Sequence, residues 1–300
     1  MASTTNQCGY VAIVGRPNVG KSTLLNNILG RKLSITSRKP QTTRHTLLGI
    51  FTEGAMQLIF VDTPGIHANR DRAINRVMNK TAISVLQDVD LVLFVVDRLM
   101  WGIEDEYVAK HLQNSRVPML LVVNKIDMLS EKELLLPQLK FLSHKCKPKE
   151  LIPVSALRKI NISRLMSSIR PFIPTNMHLF HQDQITDRSE RFLCSEIIRE
   201  KITRKLGAEL PYEVTVEIEA FSTRARITHI DALILVERAG QKKIIIGDGG
   251  KCLKEIGKSA RVDIENLINS RVMLRTWVKV RSGWSDDERA LRSLGYLDSC

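Results

Sequence analysis

The sequence predicts two domains, a doubly wound, mostly parallel α/β domain followed by a smaller α+β domain. Three observations carry that prediction. Short continuous apolar runs alternate with helical patterns from residue 10 to residue 156; two glycine-containing segments, at 15–22 and 247–250, each lead into a helix; and 300 residues are enough for two ordinary cores. Continuous apolar strands separated by helices are buried on both faces, the signature of a parallel sheet.

Composition narrows the class. With 43% hydrophobic and 26% charged residues the chain is folded rather than disordered. The opening MASTTNQCGYVAIVG lacks the basic and long apolar regions of a signal peptide. Apolar runs such as Leu91 to Val96 fall far below the roughly 18–20 residues of a membrane span, so a cytoplasmic location is expected. The five cysteines (Cys8, Cys146, Cys194, Cys252, Cys300) are odd in number, scattered and never spaced C-x-x-C, which points to reduced thiols rather than disulfides or zinc. A net charge of +13 suggests a polyanionic partner. Residues 1–180 hold 24 Lys and Arg against 13 Asp and Glu, residues 181–300 hold 21 against 19, and residues 224–281 hold 13 against 6, so a local basic field survives in the second half.

Taken in order, the first strand YVAIV runs into Gly15-Arg16-Pro17-Asn18-Val19-Gly20-Lys21-Ser22, with Thr23 next, and then a helix to Leu29. The G-x-x-x-x-G-K-[ST] spacing between strand and helix is a phosphate cradle: backbone N–H groups curl around phosphate oxygens and the helix N-terminus adds partial positive charge. Lys21 is expected to reach the β- and γ-phosphates and Ser22 to ligate Mg²⁺. A chance glycine turn does not explain the full strand–loop–helix context.

The polar, basic stretch SITSRKPQTTRHT follows. One of its hydroxyls is expected to complete the Mg²⁺ shell; the assignment goes to Thr43, and Thr42 is read as a solvated loop residue. Next, MQLIFV ends at Asp62, placed for the metal shell through water, and Asp62-Thr63-Pro64-Gly65-Ile66 contains the Asp-x-x-Gly element whose Gly65 N–H meets the γ-phosphate. Ile66 stands where Ras-type enzymes carry the glutamine that orients water. Either hydrolysis is broken or it is slow by construction. His67 is read as solvated rather than as a general base.

After the strand DLVLFVVD, the strand LLVV leads to Asn124-Lys125-Ile126-Asp127. A carboxylate there accepts both guanine N1–H and N2–H₂, hydrogen bonds that adenine does not offer, so the wrong base leaves Asp127 unpaired. Asn124 and Lys125 brace the loop and cover the base. Behind the strand LIPV, Ser155-Ala156-Leu157 bring backbone groups near the guanine.

The segment from Phe172 through ITD is polar, contains Pro and lacks periodicity, which reads as a linker. A helix then starts, capped by Asp187 with Glu190 three residues on, and Phe192, Ile197, Ile198, Ile202 and Leu206 mark its apolar stripe. YEVTVEIEAF and ALILVE read as strands. KKIIIG, β-branched and strand-like by local propensity, precedes Gly247-Asp248-Gly249-Gly250. The next helix is patterned by Leu253, Ile256, Val262, Ile264 and Leu267, and MLRTWVKV is a last strand. A lone G-x-x-G is a weak signal, but Lys251, Lys254, Lys258 and Arg261 beyond it resemble a KH domain, whose loop clamps about four single-stranded nucleotides. The order of elements is similar to the type II KH arrangement, which makes KKIIIG a short helix. Asp248 and Gly249 stand where KH loops commonly carry a cation.

With GRPNVGKS, QTTRHT, DTPGIH, NKID, VSAL, GAELPYEVTVEIE, LILVER-x-GQKKIIIG and WVKVRSGWSDDERALRSLGY, the whole chain resembles the Era family of bacterial GTPases. The resemblance implies a P-loop NTPase G domain at 8–173, a linker at 174–187, a type II KH domain at 188–282 and a tail at 283–300. It further implies a monomer that binds GTP and GDP with Mg²⁺ and whose KH domain binds the 3′ end of 16S rRNA in 30S subunit assembly, with partial association with the inner membrane described for the family. In some related GTPases a P-loop asparagine, here Asn18, holds K⁺ in place of an arginine finger. Catalysis is thereby assigned to Lys21, Thr43, Asn18 and Gly65, with no general base. Two other readings stand beside it: a GTPase that assists tRNA modification or acts as a signalling switch at the inner membrane or in cell-cycle control, with a protein partner; and a constitutive RNA binder with a decayed nucleotide site. The first lacks a basic amphipathic helix, and the second conflicts with five intact nucleotide elements. Trp284 and the DDER stretch of the tail are read as packing.

Overall fold

The computed structural model describes residues 6–36, 43–66, 72–205, 213–294 and 296. Two compact units divide near residue 188. The first is built on six strands, β1 (Gln7–Val14), β2 (Leu47–Glu53), β3 (Met56–Asp62), β4 (Leu91–Asp97), β5 (Met119–Asn124) and β6 (Glu150–Pro153), in the order β2-β3-β1-β4-β5-β6. All neighbours are parallel except β2 against β3. Every residue of β3 and β4 is buried, as expected of strands covered on both faces by helices. The helices are α1 (Lys21–Leu29), α2 (Ala73–Ser84), α3 (Ile103–Gln113), α4 (Leu135–Cys146) and α5 (Ile162–Ile169).

Sequence reading did not separate β2 from the basic stretch before it. LLGIFTE is an antiparallel edge strand whose far end is half-buried or exposed, so it lacks a fully apolar run. Segment 174–187 is no free tether either. Cys8 N–H donates to Pro174 O at 3.2 Å and Ile50 N–H to Ile185 O at 2.9 Å, while Gln57 Oε1 accepts from Leu179 and Phe180 N–H. Its lack of periodicity reflects irregular pairing with the strands it crosses.

The second unit holds α6 (Glu190–Lys205), β7 (Val214–Arg224), β8 (Ile227–Val236), α7 (Ala239–Ile246), α8 (Lys251–Ile268), β9 (Arg271–Val280) and α9 (Glu288–Ser293). The sheet order is β7-β8-β9, with β7 antiparallel and β9 parallel to β8. Ile197, Ile198, Ile256 and Ile264 from the helices pack on Ile230, Ile234 and Val278 of the sheet. KKIIIG does form the end of a helix, because Ile245 is fully buried in that core and tertiary packing overrides strand propensity.

Two local expectations are corrected and one falls outside the described residues. Ser189, not Asp187, caps α6 by accepting Phe192 N–H at 3.3 Å, whereas Asp187 Oδ1 accepts Leu48 N–H at 3.1 Å. Leu206 lies outside the described residues. Val262 is 49% exposed, and the core side of α8 is completed by Ala260 instead. Trp284 is buried and stacks at a tilt on Tyr296, so it packs as read. Cys8, Cys146, Cys194 and Cys252 are free, and burial pushes the Cys146 and Cys194 thiols up to about 11 and about 12. No helix among the described residues is long and apolar enough to cross a membrane.

Candidate functional site

The nucleotide-binding candidates gather beyond the carboxyl ends of β1, β3 and β5, where a doubly wound sheet places its ligands. Lys21, at the first turn of α1, is 6% exposed and donates from Nζ to Gly15 O at 2.9 Å and Arg16 O at 3.0 Å. Burial pushes its amine down to about 8, partly opposed by the Asp62 carboxylate. Asn18 is exposed at the crest of the loop with φ of 63°. Pro17 and Val19 are buried beneath it, and Thr23 lies one residue beyond Ser22 on α1.

Three hydroxyls and one carboxylate converge below this loop. Ser22 Oγ lies 2.8 Å from Thr43 Oγ1 and 3.1 Å from Asp62 Oδ2, which also accepts from Ser34 Oγ at 2.7 Å. Asp62 is fully buried, so desolvation raises its pKa against the pull of these hydrogen bonds and of Lys21. Asp62 Oδ1 is buried with no hydrogen-bond partner. A buried carboxylate oxygen left unpaired is costly, and an all-oxygen cluster suits a small hard cation.

Downstream of Asp62 the chain packs closely against β1 and the phosphate loop. Thr63 Oγ1 donates to Ile13 O at 2.9 Å, Pro64 is buried, and a Cβ on Gly65 would come within 2.9 Å of Pro17 Cγ, so only glycine fits there without displacement. Ile66 is fully buried among Ala12, Val14, Phe94 and Ala82. His67 and Thr42 lie outside the described residues.

At the base end, Asn124 ties three loops together. Its Nδ2 donates to Val19 O at 2.8 Å and its Oδ1 accepts Ala156 N–H at 2.9 Å. Ser155 Oγ donates to Asp127 Oδ1, fixing that carboxylate's orientation. Lys125 Nζ pairs with Asp97 at 2.7 Å; Leu157, next to Ala156 in sequence, is 70% exposed. Sequence reasoning missed Ser34, Asp97 and Asp105. Asp105, fully buried at the start of α3, accepts from Arg16 Nε at 2.9 Å and from Gly102 N–H at 3.0 Å, and Arg16 also lies 4.0 Å from Asp97. Asp97 ends a strand on the ligand side of the sheet, and that position was its only signal. Ser34 and Asp105 belong to no motif.

In the second unit, α7, a tight turn at Asp248–Gly250 and α8 form the glycine loop. Gly247 has φ of 69°, and a Cβ there would meet Cys252 Cβ at 2.7 Å. Asp248 and Gly249 are exposed at the tip and Gly250 opens α8. Lys251, Lys254, Lys258 and Arg261 are all exposed, and their spacing of three, four and three residues stacks them along one side of α8, away from Ile256, Ala260 and Ile264.

A family model described as "50S ribosome-binding GTPase" matches residues 10–125, and one described as "KH domain" matches residues 209–285. GTPase Era of Marinobacter nauticus is 60% identical over 293 residues, 98% of this chain and 96% of the relative. The chain belongs to the Era family of GTPases. GTPase Era of Pseudomonas savastanoi pv. phaseolicola is likewise 60% identical, over 296 residues and 99% of both chains. Among solved structures, Era in complex with MgGDPNP and nucleotides 1506–1542 of 16S ribosomal RNA superposes with a TM-score of 0.94 at 37% identity, covering 97% of this chain and 99% of that one. A tyrosine-to-alanine variant of Aquifex aeolicus Era bound to GDP·AlF4⁻ gives 0.92 at 38% identity, with the same coverage. Membership of the Era family accounts for a G domain and a KH domain in one chain, and it fixes the second unit's fold where the G-x-x-G loop alone was a weak signal.

Proposed function

We propose that this chain is a slow GTP-hydrolysing switch whose KH domain binds the 3′ end of 16S rRNA during assembly of the 30S subunit. The observation that carries it is the cluster of Ser22, Thr43 and Asp62 with its unpaired buried Oδ1. It joins the phosphate loop to the loop that must change when the third phosphate leaves. The Era complex with MgGDPNP and 16S rRNA, a relative alike over nearly its whole length, supports the choice of ligands.

The residues fit Mg²⁺: Ser22 and Thr43 would hold it directly, Asp62 through water. Mg²⁺, when bound, neutralises charge on the phosphate oxygens. Lys21 uses two N–H groups on Gly15 O and Arg16 O, which leaves its third for the β- and γ-phosphates. Gly15 to Thr23 wrap the phosphates, Gly65 N–H meets the third one, and Asp127, held by Ser155, reads guanine with Asn124, Lys125, Ala156 and Leu157 around it. Ile66 is turned into the core and orients no water, so hydrolysis to GDP and phosphate runs without a glutamine and slowly. Asn18, exposed at the crest of the loop, offers an oxygen for K⁺ beside the phosphates. Turnover is then faster in KCl than in matched NaCl.

For the RNA, Gly247 to Gly250 approach the backbone, and Lys251, Lys254, Lys258 and Arg261 take phosphates in place of the cation that Asp248 and Gly249 leave out of the loop. The working boundaries are 8–173 for the G domain, 174–187 for the connection, 188–282 for the KH domain and 283–300 for the tail.

The test is the affinity for an RNA ending in the 16S 3′ sequence, at one salt concentration, with the protein loaded first with a non-hydrolysable GTP analogue and then with GDP. Tight binding confined to the analogue is expected. Equal binding in both states would separate hydrolysis from RNA capture and defeat the switch.

A further inference from the structure

The glycine loop is not the only part of the second unit shaped for a polyanion. Strand β9 reads RVMLRTWVKV, and its alternation is unusually sorted. Val272 and Val278 enter the core and Leu274 packs against it. The opposite face therefore carries Arg271, Met273, Arg275, Trp277 and Lys279. Met273 is 51% and Trp277 38% exposed, and the three cations are exposed as well. No acidic residue occurs in the strand. Strand β9 is also an edge of the three-stranded sheet, so the row lies at a rim.

Burying apolar surface is favourable, so an exposed Trp and Met between cations point to a partner that offers flat apolar faces and negative charge together. Single-stranded nucleic acid offers both, since its bases stack on aromatic rings while its phosphates meet Lys and Arg. The geometry has the right repeat: same-face side chains of a strand stand roughly 6.6 Å apart, so cation, ring and cation succeed one another along one line. The acids of this face leave the row basic. Asp231 is already bound to Arg275, at 2.7 and 2.8 Å, which anchors that guanidinium to β8 at two points with donors to spare. Glu217 pairs across from Leu233, one strand beyond Trp277, and Glu219 sits at the irregularity of β7.

We propose that the outer face of β9 is a second RNA-binding surface, with Trp277 as a base-stacking platform and Arg271, Arg275 and Lys279 as phosphate contacts, engaging single-stranded nucleotides beyond those held by the glycine loop. It rests on the RNA-binding reading above and extends it from about four nucleotides to a longer strand.

The experiment compares a single-stranded tetranucleotide RNA with an unstructured RNA of about sixteen nucleotides, at fixed salt, for the full chain and for Trp277→Leu, which keeps apolar cover over the sheet. Wild type binds the longer RNA more tightly, and the variant loses roughly five- to hundredfold for it while the tetranucleotide is bound as before. Trp277→Phe restores most of the loss. Should Trp277→Leu fold poorly, Arg271→Gln and Lys279→Gln at exposed positions each lower the salt slope for the longer RNA by about 0.7 and leave the tetranucleotide slope alone. Unchanged binding of the longer RNA in these variants overturns the second surface and spares the first. Binding of neither RNA by wild type overturns both. A dimer in sedimentation that Trp277→Leu dissolves assigns the face to a second copy of the chain and likewise overturns the proposal.

Discussion

Lys21 and Ile66 show how burial decides what a residue can do at this site. Lys21 carries its charge in a buried cradle, with its amine lowered to about 8 by desolvation. A lysine lowered on folding binds fewer protons in the folded than in the unfolded chain, so its burial weakens the fold below about 8, and that penalty lifts as pH rises from about 8 toward 10.5. A phosphate arriving beside it favours the ammonium and raises the pKa again. GDP binding above pH 8 is therefore expected to take up a proton, and affinity should fall by up to roughly tenfold per unit as pH climbs through that value. Calorimetry in buffers of different ionisation enthalpy measures the uptake directly; none at pH 8.5 would show that the amine is not the group sensing the phosphates. Ile66 gives the opposite case. Fully buried among apolar side chains, it is expected to resist conversion into the water-orienting residue of other GTPases. Ile66→Gln should cost about 2–4 kcal/mol of stability, from a buried amide without partners and a disturbed core, and should not speed single-turnover hydrolysis. A faster enzyme with unchanged urea midpoint would contradict this placement.

At the scale of elements, what the sequence discloses depends on whether one local rule governs the element. Strands β1, β3, β4 and β5 are legible because a parallel interior strand has to be apolar throughout, and the phosphate and guanine loops because their backbone chemistry fixes residue types at fixed spacing. Strand β2 is not, since an antiparallel edge strand is buried for only part of its length. The cap of α6 shows a subtler failure: Asp187 and Ser189 both have capping side chains, and only the long-range hydrogen bond from Leu48 to Asp187 decides between them. Asp105 escapes for the same reason. Its value comes from Arg16, 89 positions away in sequence, and no spacing rule connects the start of a helix to a distant loop. Helix α7 was legible only through resemblance, because Ile244, Ile245 and Ile246 favour a strand locally and only the core around Ile245 settles the matter.

For the molecule as a whole, the net charge of +13 promises attraction to any polyanion, but it does not locate a site. The distinction lies in arrangement. Residues 1–180 carry more net positive charge than the rest, whereas the KH unit sorts its smaller surplus into a row on α8 and a row on β9. Diffuse charge speeds encounter and fades with salt, while a cation seated on a phosphate displaces a counterion and sets the slope of log affinity against log salt. The double variant Lys254→Gln/Lys258→Gln is therefore expected to flatten that slope by about 1.4 for single-stranded RNA, about 0.7 per phosphate contact. Substituting two exposed lysines of the first unit, Lys147 and Lys149, removes the same charge and should leave the slope nearly unchanged while slowing association. Salt titrations of the two double variants decide it. Equal flattening in both would mean that the chain holds RNA by its overall charge, and that the row on α8 is only its most visible part.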